Sequence, residues 1–161
     1  MPSTTPPPPS LGLSRPRLLQ TASAFITSYN TWSIDTILSI RSPSCIHHTL
    51  PASLNVPSRT NAEYATFLEP MLPIFRGVEF AIINSEKETV VDVAAGKVVL
   101  HCRNSADTDA GKYENEYVFI LTMSEDGTLL DEIVEFIDAA YTVDFKRRIS
   151  ALKQGSGSSN S

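Results

Sequence analysis

The most informative part of the sequence is a pair of alternating apolar segments, 113-YENEYVFILTMSEDGTLLDEIVEFID-138. The residues 124-SEDG-127 separate the two segments, and their glycine comes late in the turn, as is typical of a β-hairpin. Successive side chains of a strand point to opposite faces of the sheet. We therefore predict two long antiparallel strands, 113–123 and 128–138, each with one face towards a core.

Polar residues interrupt the apolar face of the first predicted strand. Tyr113 and Tyr117 share this face with Phe119, so it is apolar along most of its length and carries phenolic groups near its beginning. We expect Phe119 to form part of the apolar wall of a pocket. Two phenols on such a wall can donate hydrogen bonds to a substrate carbonyl or an oxyanion. The same pattern is also typical of tyrosines that pack in a core with a satisfied hydroxyl group.

The second predicted strand places Glu135 between Ile133 and Ile137, on the same face as Asp131. A carboxyl group among isoleucines is partly removed from water and can act as an acid or a base near neutral pH. Arg41 could keep this group ionised or stabilise negative charge. Two other interpretations remain open. Arg41 and Glu135 could form a buried structural ion pair, or the strand could turn Glu135 towards solvent or a dimer interface.

Upstream of the hairpin, the chain changes from a helical part to a strand-rich part. Apolar spacing, capping residues and prolines predict helices at about 16–30, 34–41 and 60–72, strands near 45–49, 77–86, 88–94 and 97–106, and a final helix at 141–152. Three helices followed by a mostly antiparallel sheet indicate an α+β fold with the helices on one face of the sheet. If the sheet is strongly curved, the helices close over it and leave a pocket.

The predicted folded unit is a single domain at 15–152, because a chain of 161 residues can bury a sizeable core. Residues 1–14 are rich in Pro, Ser and Thr, and residues 153–161 are rich in Gly and Ser. Neither end has a periodic apolar pattern, so we predict that both are disordered.

Composition argues against several classes of partner. The net charge is −5, and the one short basic cluster, 146-KRR-148, is typical of the last turn of a helix, so nucleic acid is not an expected partner. No apolar run could span a bilayer, and the N-terminus lacks the pattern of a secretory signal.

Cys45 and Cys102 lie in apolar segments without zinc-ligand spacing. We expect buried reduced thiols and a cytoplasmic protein, although a disulfide between them remains open.

The histidines and two apolar helix residues are further candidates for the pocket. His47 and His48 are adjacent in a strand and must face opposite sides, while His101 lies on another strand. A histidine in a pocket can act as a general base, but a single strand histidine is more often structural. Phe67 and Met71 could line the pocket or belong to the helical core. The two adjacent histidines cannot both enter one three-histidine site, so we expect no metal and no other cofactor.

Four segments resemble one family: 41-RSPSCIHHTLPASL-54, 59-RTNAEY-64, 113-YENEYVFIL-121 and 132-EIVEFIDAAY-141. Together with the order of the helices, over about residues 16–150, they resemble the SnoaL-like branch of the NTF2-like superfamily, and within it small fungal enzymes of secondary metabolism. The resemblance implies a cone formed by three helices and a curved sheet around a pocket. It also implies a homodimer through the outer face of the sheet.

The resemblance implies an activity as well. In cofactor-free isomerases of the semipinacolase type, the pocket uses an arginine after the second helix, two tyrosines four residues apart and a glutamate on the last strand. Arg41, Tyr113, Tyr117 and Glu135 occupy matching places. The implied function is the acid–base rearrangement or cyclisation of an apolar polycyclic intermediate, with His47 and His101 among the residues that contact it.

Two alternatives stay open at this point. Hydrolysis or cyclisation of a polyketide epoxide would use the same side chains, because it also needs a carboxylate and hydrogen-bond donors. A non-catalytic binding or dimerisation module is the third possibility, since folds of this kind carry many functions. That module would show an exposed apolar patch rather than a closed cavity.

Overall fold

The computed structural model describes residues 12–156 and shows a curved six-stranded sheet packed against four α-helices in that part of the chain. The elements are α1 (Arg15–Asn30), α2 (Ile34–Ser39), β1 (Arg41–Leu50), α3 (Asn61–Leu68), β2 (Arg76–Ile82), β3 (Val90–Asp92), β4 (Lys97–Asp107), β5 (Tyr113–Met123), β6 (Leu130–Ile137) and α4 (Ala139–Ser156). The strand order is β1-β6-β5-β4-β2, and β3 pairs with β4. Every pairing is antiparallel except that of β1 with β6. The predicted α+β fold is confirmed.

The hairpin of β5 and β6 forms where the alternating pattern predicted it. Gly127 in the turn has a φ of +74°, a backbone angle that residues other than glycine rarely adopt. The carboxylate of Asp126 accepts hydrogen bonds from the hydroxyls of Ser124 and Thr128. The predicted inner face of β5 is buried along its whole length, and comprises Tyr113, Asn115, Tyr117, Phe119, Leu121 and Met123. The central strand of the sheet therefore presents one continuous face to the helices.

Helix α1 covers the apolar end of that face. Ser14 caps the helix by accepting a hydrogen bond from the backbone N–H of Arg17, and Leu18 and Phe25 are fully buried on its inner side. The ring of Phe25 packs edge-on against Phe119, with 5.1 Å between the ring centroids. This contact fills the base of the cone and leaves the opposite end of β5 open to a cavity.

The predicted facing of β6 is correct from Ile133 onwards but wrong before it. Asp131 is exposed, and Leu130 takes the buried position instead. The pairing register with β5 shifts at this point, which marks a bulge. Because a bulge adds one residue to one strand, it reverses the facing of every residue on its far side. The assignment of Asp131 to the same face as Glu135 is therefore wrong.

Several element boundaries also differ from the prediction. Strand β3 has three residues, because the chain at 83–89 forms turns, and β1 begins at Arg41 rather than at Cys45. Helix α4 begins at Ala139 and continues to Ser156. Disorder is predicted for 1–14 and 153–161. Residues 1–11 and 157–161 lie outside the described residues, whereas 153–156 continue helix α4, and the domain boundaries remain a prediction.

Two expectations from composition can be compared directly with the structure. Cys45 and Cys102 are buried and not bonded to each other, as expected. Between residues 12 and 156, no helix combines the length and the apolar character that a bilayer crossing requires.

Candidate active site

The inner face of the sheet and the helices line a partly open cavity of about 450 Å³. Its walls come from α1, α3, α4, the segment 52–59 and the inner faces of β2, β4, β5 and β6. Most of the lining is apolar or aromatic, and Phe67, Met71, Phe75, Phe80 and Phe145 contribute to it. A cavity of this size and character suits an apolar small molecule, whose orientation a few polar groups can fix.

Glu135 reaches this cavity and ends a chain of three hydrogen-bonded side chains. Its Oε2 lies 3.0 Å from Nε2 of His47, and Nδ1 of His47 lies 3.2 Å from Nη2 of Arg41. A guanidinium group can only donate hydrogen bonds, so Nδ1 of His47 accepts and Nε2 carries the proton that is donated to Glu135. The Arg41–His47–Glu135 relay thus fixes the tautomer of the histidine and offers its proton to a carboxylate.

Burial supports the neutral form of the histidine in the relay. His47 is completely buried, and this burial lowers its pKa below the usual 6.5, while Glu135 acts in the opposite direction. Glu135 itself is 17% exposed, and Oγ1 of Thr49 lies 3.5 Å from its Oε2. The carboxylate therefore lies between a buried donor and the cavity, where it can receive a proton from a ligand.

Aromatic rings hold the cationic end of the relay in place. The guanidinium of Arg41 lies 4.0 Å above the ring of Tyr64 and donates a 3.0 Å hydrogen bond to the hydroxyl of Tyr29. The ring of His47 also stacks on the ring of Tyr64, with 4.5 Å between the ring centroids. The hydroxyls of Tyr29 and Tyr64 are 2.7 Å apart, so α1, α3 and β1 are joined at this point. Burial of Arg41 is thus compensated only in part, through Nη2 and the ring of Tyr64, because its Nε and Nη1 have no hydrogen-bond partner among the described residues.

Tyr113 and Tyr117 form a second polar group on the cavity wall. Their hydroxyl oxygens are 2.9 Å apart, and the amide of Asn115 donates a hydrogen bond to Tyr113. Burial raises the pKa of Tyr113 to about 12 and that of Tyr117 well above its usual value, so both phenols are neutral at physiological pH. The pair has two hydroxyl protons, and the bond between the two oxygens uses one. The other is available to a ligand in the cavity.

The structure brings together most of the residues that the sequence indicated. Glu135, Tyr113 and Tyr117 line the cavity, as do Phe67 and Met71.

Four further points about the pocket differ from the sequence analysis. The ion pair between Arg41 and Glu135, which the sequence left open, does not form, because His47 lies between them. His47 itself is completely buried and contacts Glu135 rather than lining the cavity. Phe119 is 1% exposed and belongs to the core beneath the cavity, so its expected place in the pocket wall is wrong. His101 lies on the outer face of the sheet, where it pairs with Glu116, so it is not a pocket residue.

Three cavity residues were not singled out in the sequence. Tyr29 and Tyr64 occupy apolar positions of helical patterns, and only their hydroxyl groups distinguished them from ordinary core residues. Arg59 precedes α3 and lines the cavity with its guanidinium 4.0 Å above the ring of Phe67. The signal that could have identified Arg59 is a cation placed just before a helix N-terminus, where an acidic residue would be more favourable.

No group of three or more His, Cys, Asp or Glu side chains in residues 12–156 is arranged to hold a metal ion. The polar groups that line the cavity among these residues are the carboxylate of Glu135, phenols, two cationic side chains, aliphatic hydroxyls and the amide of Asn104, which suit proton transfer and hydrogen bonding. The expectation that the protein uses no cofactor remains a prediction.

Several known proteins with similar sequences belong to fungal austinoid biosynthesis clusters. Austinoid biosynthesis cluster protein F of Aspergillus calidoustus is 37% identical over 144 residues, which cover 89% of this chain and 82% of that protein. Austinoid biosynthesis cluster protein J of the same species is 38% identical over 136 residues, which cover 84% of this chain and 82% of that protein. No family model matches the chain.

Solved structures show the same similarity in three dimensions. The BvnE pinacolase of Penicillium brevicompactum superimposes with a TM-score of 0.81 at 31% identity, covering 86% of this chain and 98% of the other. PrhC of Penicillium brasilianum gives a TM-score of 0.82 at 32% identity, with coverages of 86% and 91%. A SnoaL-like polyketide cyclase of Shewanella denitrificans shares the fold alone, with a TM-score of 0.65 at 14% identity and coverages of 80% and 96%.

The cavity, the carboxylate relay and the similarities to the austinoid cluster proteins and the pinacolase agree with one another. This chain belongs to the SnoaL-like, NTF2-like family of fungal secondary-metabolite isomerases and cyclases.

Proposed function

We propose that the protein is a cofactor-independent isomerase that rearranges an apolar polycyclic intermediate by a semipinacol-type shift, with Glu135 as the general base. The observation that carries this proposal is the Arg41–His47–Glu135 relay, which ends in a carboxylate at the wall of an apolar cavity. The similarity to a pinacolase at 31% identity supports the reaction class.

The proposed step conserves all atoms of the substrate. Glu135 removes the proton of a substrate hydroxyl group, and the electron pair of that O–H bond forms a carbonyl bond. At the same time a carbon–carbon bond migrates with its electrons to the adjacent carbon of a C=N, C=O or epoxide group. The electrons of the carbon–heteroatom bond that breaks move onto the heteroatom, which takes up one proton in place of the proton that Glu135 removed. The product therefore has the mass of the substrate.

Each side of the cavity has a separate role in this step. His47 donates a hydrogen bond to the carboxylate and holds it in one orientation. Arg41 donates a hydrogen bond to Nδ1 of His47, which fixes the tautomer of the ring and polarises it with the positive charge of the guanidinium. The Tyr113–Tyr117 pair donates its remaining proton to a substrate oxygen and favours charge that develops there. The apolar walls select one conformer of the substrate, which lowers the entropic part of the barrier.

The proposal is tested by Glu135→Gln, with Glu132→Gln as the matched control. Glu132 lies on the outer face of the same strand and also approaches a histidine, His48, at 3.4 Å. Each variant is incubated with intermediates made by the neighbouring biosynthetic genes, and products of unchanged mass are measured by chromatography and mass spectrometry. We expect Glu135→Gln to reduce the rate by about 10²- to 10⁴-fold, the usual contribution of a general base, and Glu132→Gln to retain it.

The same experiment in H₂¹⁸O separates rearrangement from epoxide hydrolysis. Hydrolysis adds one labelled oxygen to the product, whereas isomerisation adds none. Full activity of Glu135→Gln would refute the assigned base, and incorporation of label would replace the isomerase by a hydrolase.

The protein is also proposed to act as a homodimer in the cytoplasm. The outer face of the sheet exposes Val118 and Phe136, which lie directly opposite each other on β5 and β6. Such a pair of exposed apolar side chains suits a contact with a second copy. The two free buried thiols are compatible with a reducing compartment.

A further inference from the structure

We propose that the substrate carries an acidic group, such as a carboxylic acid or the enol of a 1,3-dicarbonyl, and that Arg59 binds its anionic form in the cavity. This inference rests on the proposed function, because it concerns the ligand of the same cavity, and it adds the chemical class of that ligand.

The backbone fixes Arg59 beside the catalytic relay. Arg59 and His47 form an isolated antiparallel bridge, in which each backbone N–H donates a 2.9 Å hydrogen bond to the carbonyl of the other residue. Residues directly opposite each other in such a bridge have their side chains on the same side. The side chain of Arg59 therefore extends on the side of His47, and it reaches the cavity wall.

The guanidinium of Arg59 has no polar partner among the described residues. Within 12–156 its side chain makes no hydrogen bond and no ion pair, and Nη1 is buried with its hydrogen-bonding capacity unused. The carboxylate of Glu63 is engaged by Thr60, with bonds of 2.8 Å from the backbone N–H and 2.9 Å from the hydroxyl. Because a buried donor without an acceptor destabilises the folded protein, this arrangement favours an acceptor supplied by a ligand.

The ionisable groups of the cavity also favour an anion. Its wall contains two cations, Arg59 and Lys146, and one carboxylate, Glu135, which already accepts a hydrogen bond from His47. The whole chain, in contrast, has a net charge of −5. An acidic protein that places two cations around an apolar cavity provides a local attraction for a negatively charged ligand.

The shape of the guanidinium indicates which kind of anion fits. Its parallel N–H groups match two oxygens held in one plane, as in a carboxylate or the enolate of a 1,3-dicarbonyl. The ring of Phe67 under the guanidinium keeps its plane fixed and limits its hydration on that side. The structure thus combines an apolar wall with a planar binding group for two oxygens.

The test measures binding of an acid and its ester, without any turnover. A neutral dye, N-phenyl-1-naphthylamine, reports occupancy of the cavity by its fluorescence, and abietic acid or methyl abietate displaces it. The two competitors share a tricyclic apolar skeleton and differ in charge at neutral pH. For the full-length wild type we expect the acid to bind about tenfold more tightly than the ester, in the range of a charge-assisted contact.

Two variants locate the source of this preference. Arg59→Met keeps the length and the packing on Phe67 but removes the charge, and we expect it to bind acid and ester equally, with the ester unaffected. Arg103→Met removes an exposed cation from the outer face of the sheet and should leave the preference unchanged. Arg59→Lys should retain part of it, which provides a test even if Arg59→Met is unstable.

The proposal is overturned if wild type binds acid and ester equally, or if Arg59→Met retains the preference. It is also overturned if Arg103→Met abolishes the preference. These results are independent of the catalytic test. An acid preference with full turnover by Glu135→Gln would keep the ligand class and reject the base, whereas the opposite pair of results would keep the base and reject the ligand class.

Discussion

Two histidine–glutamate pairs differ in burial although they lie side by side on β1 and β6. His47 and Glu135 face the cavity with 0% and 17% of their side chains exposed, while His48 and Glu132 face outwards with 35% and 42% exposed. The same two residue types therefore have different chemistry on the two faces. Inside, the histidine is held neutral and donates to a carboxylate, whereas outside the two side chains are partly exposed and water screens their interaction.

The neutral state of His47 predicts a pH dependence of stability. Because burial lowers its pKa in the folded protein below 6.5, the unfolded chain binds a proton in the pH range just below 6.5 while the folded chain does not. The free energy of unfolding should be highest above pH 6.5 and fall as the pH decreases from there. A single titrating group can contribute at most about 1.4 kcal/mol per pH unit to this slope.

Urea unfolding of wild type and His47→Gln between pH 5 and 8 measures this contribution. The variant lacks the titrating group, so its slope should be smaller, whatever constant loss of stability the substitution causes. His48→Gln is the control, because it removes a neighbouring imidazole that approaches a glutamate on the outer face of the same two strands. Equal slopes for wild type and His47→Gln would contradict the assignment of a neutral buried histidine.

At the scale of elements, alternation along single strands could be predicted from the sequence, and pairing between distant strands could not. The buried face of β5 follows from the period of two residues, and so does the common face of Ile133, Glu135 and Ile137. The period alone left open whether Glu135 points into the cavity or outwards. The bulge near Asp131 has no signal of its own, since it is one additional residue in an otherwise regular strand.

The relay was missed for a related reason. His47 and Glu135 are 88 residues apart and meet because β1 pairs in parallel with β6. The register of two distant strands depends on the whole sheet, so a local pattern could show that one of His47 and His48 faces inwards but not which. It could also not show that a histidine would stand between Arg41 and Glu135.

The N-terminus of α3 gives a prediction at this scale, because it follows Arg59 directly. The hydroxyl of Thr60 accepts a bond from the backbone N–H of Glu63, and the carboxylate of Glu63 accepts one from the backbone N–H of Thr60. Thr60→Ala removes this capping box and should lower the free energy of unfolding by about 1 kcal/mol.

Thr66→Ala is the matched control in the same helix. Thr66 is exposed, and alanine has the higher helix propensity, so this change should be neutral or slightly stabilising. Denaturant unfolding of both variants measures the difference. If Thr60→Ala loses no more stability than Thr66→Ala, the capping box does not hold the start of the helix.

At the scale of the whole molecule, the sheet separates two functions between its faces. The concave face forms the cavity, while the convex face exposes the neighbouring apolar side chains of Val118 and Phe136. We predict that Phe136→Lys converts a dimer into a monomer, because it places a charge in an apolar contact. Sedimentation equilibrium should then give twice the 17.6 kDa chain mass for wild type and the chain mass for the variant.

Val143→Lys is the control for this experiment. Val143 is 48% exposed on α4, away from the sheet, so its substitution should not change the assembly. A monomeric wild type, or an equal effect of both substitutions, would reject the sheet as the dimer interface.

Helix α4 has a practical consequence for anyone who produces this protein. It is both a wall of the chamber, through Thr142, Phe145, Lys146 and Ile149, and the last described element of the chain, ending at Ser156. Because these four side chains come from a helix that follows the last strand, a chain cut before Thr142 would keep every strand of the sheet and still lose one wall of the chamber.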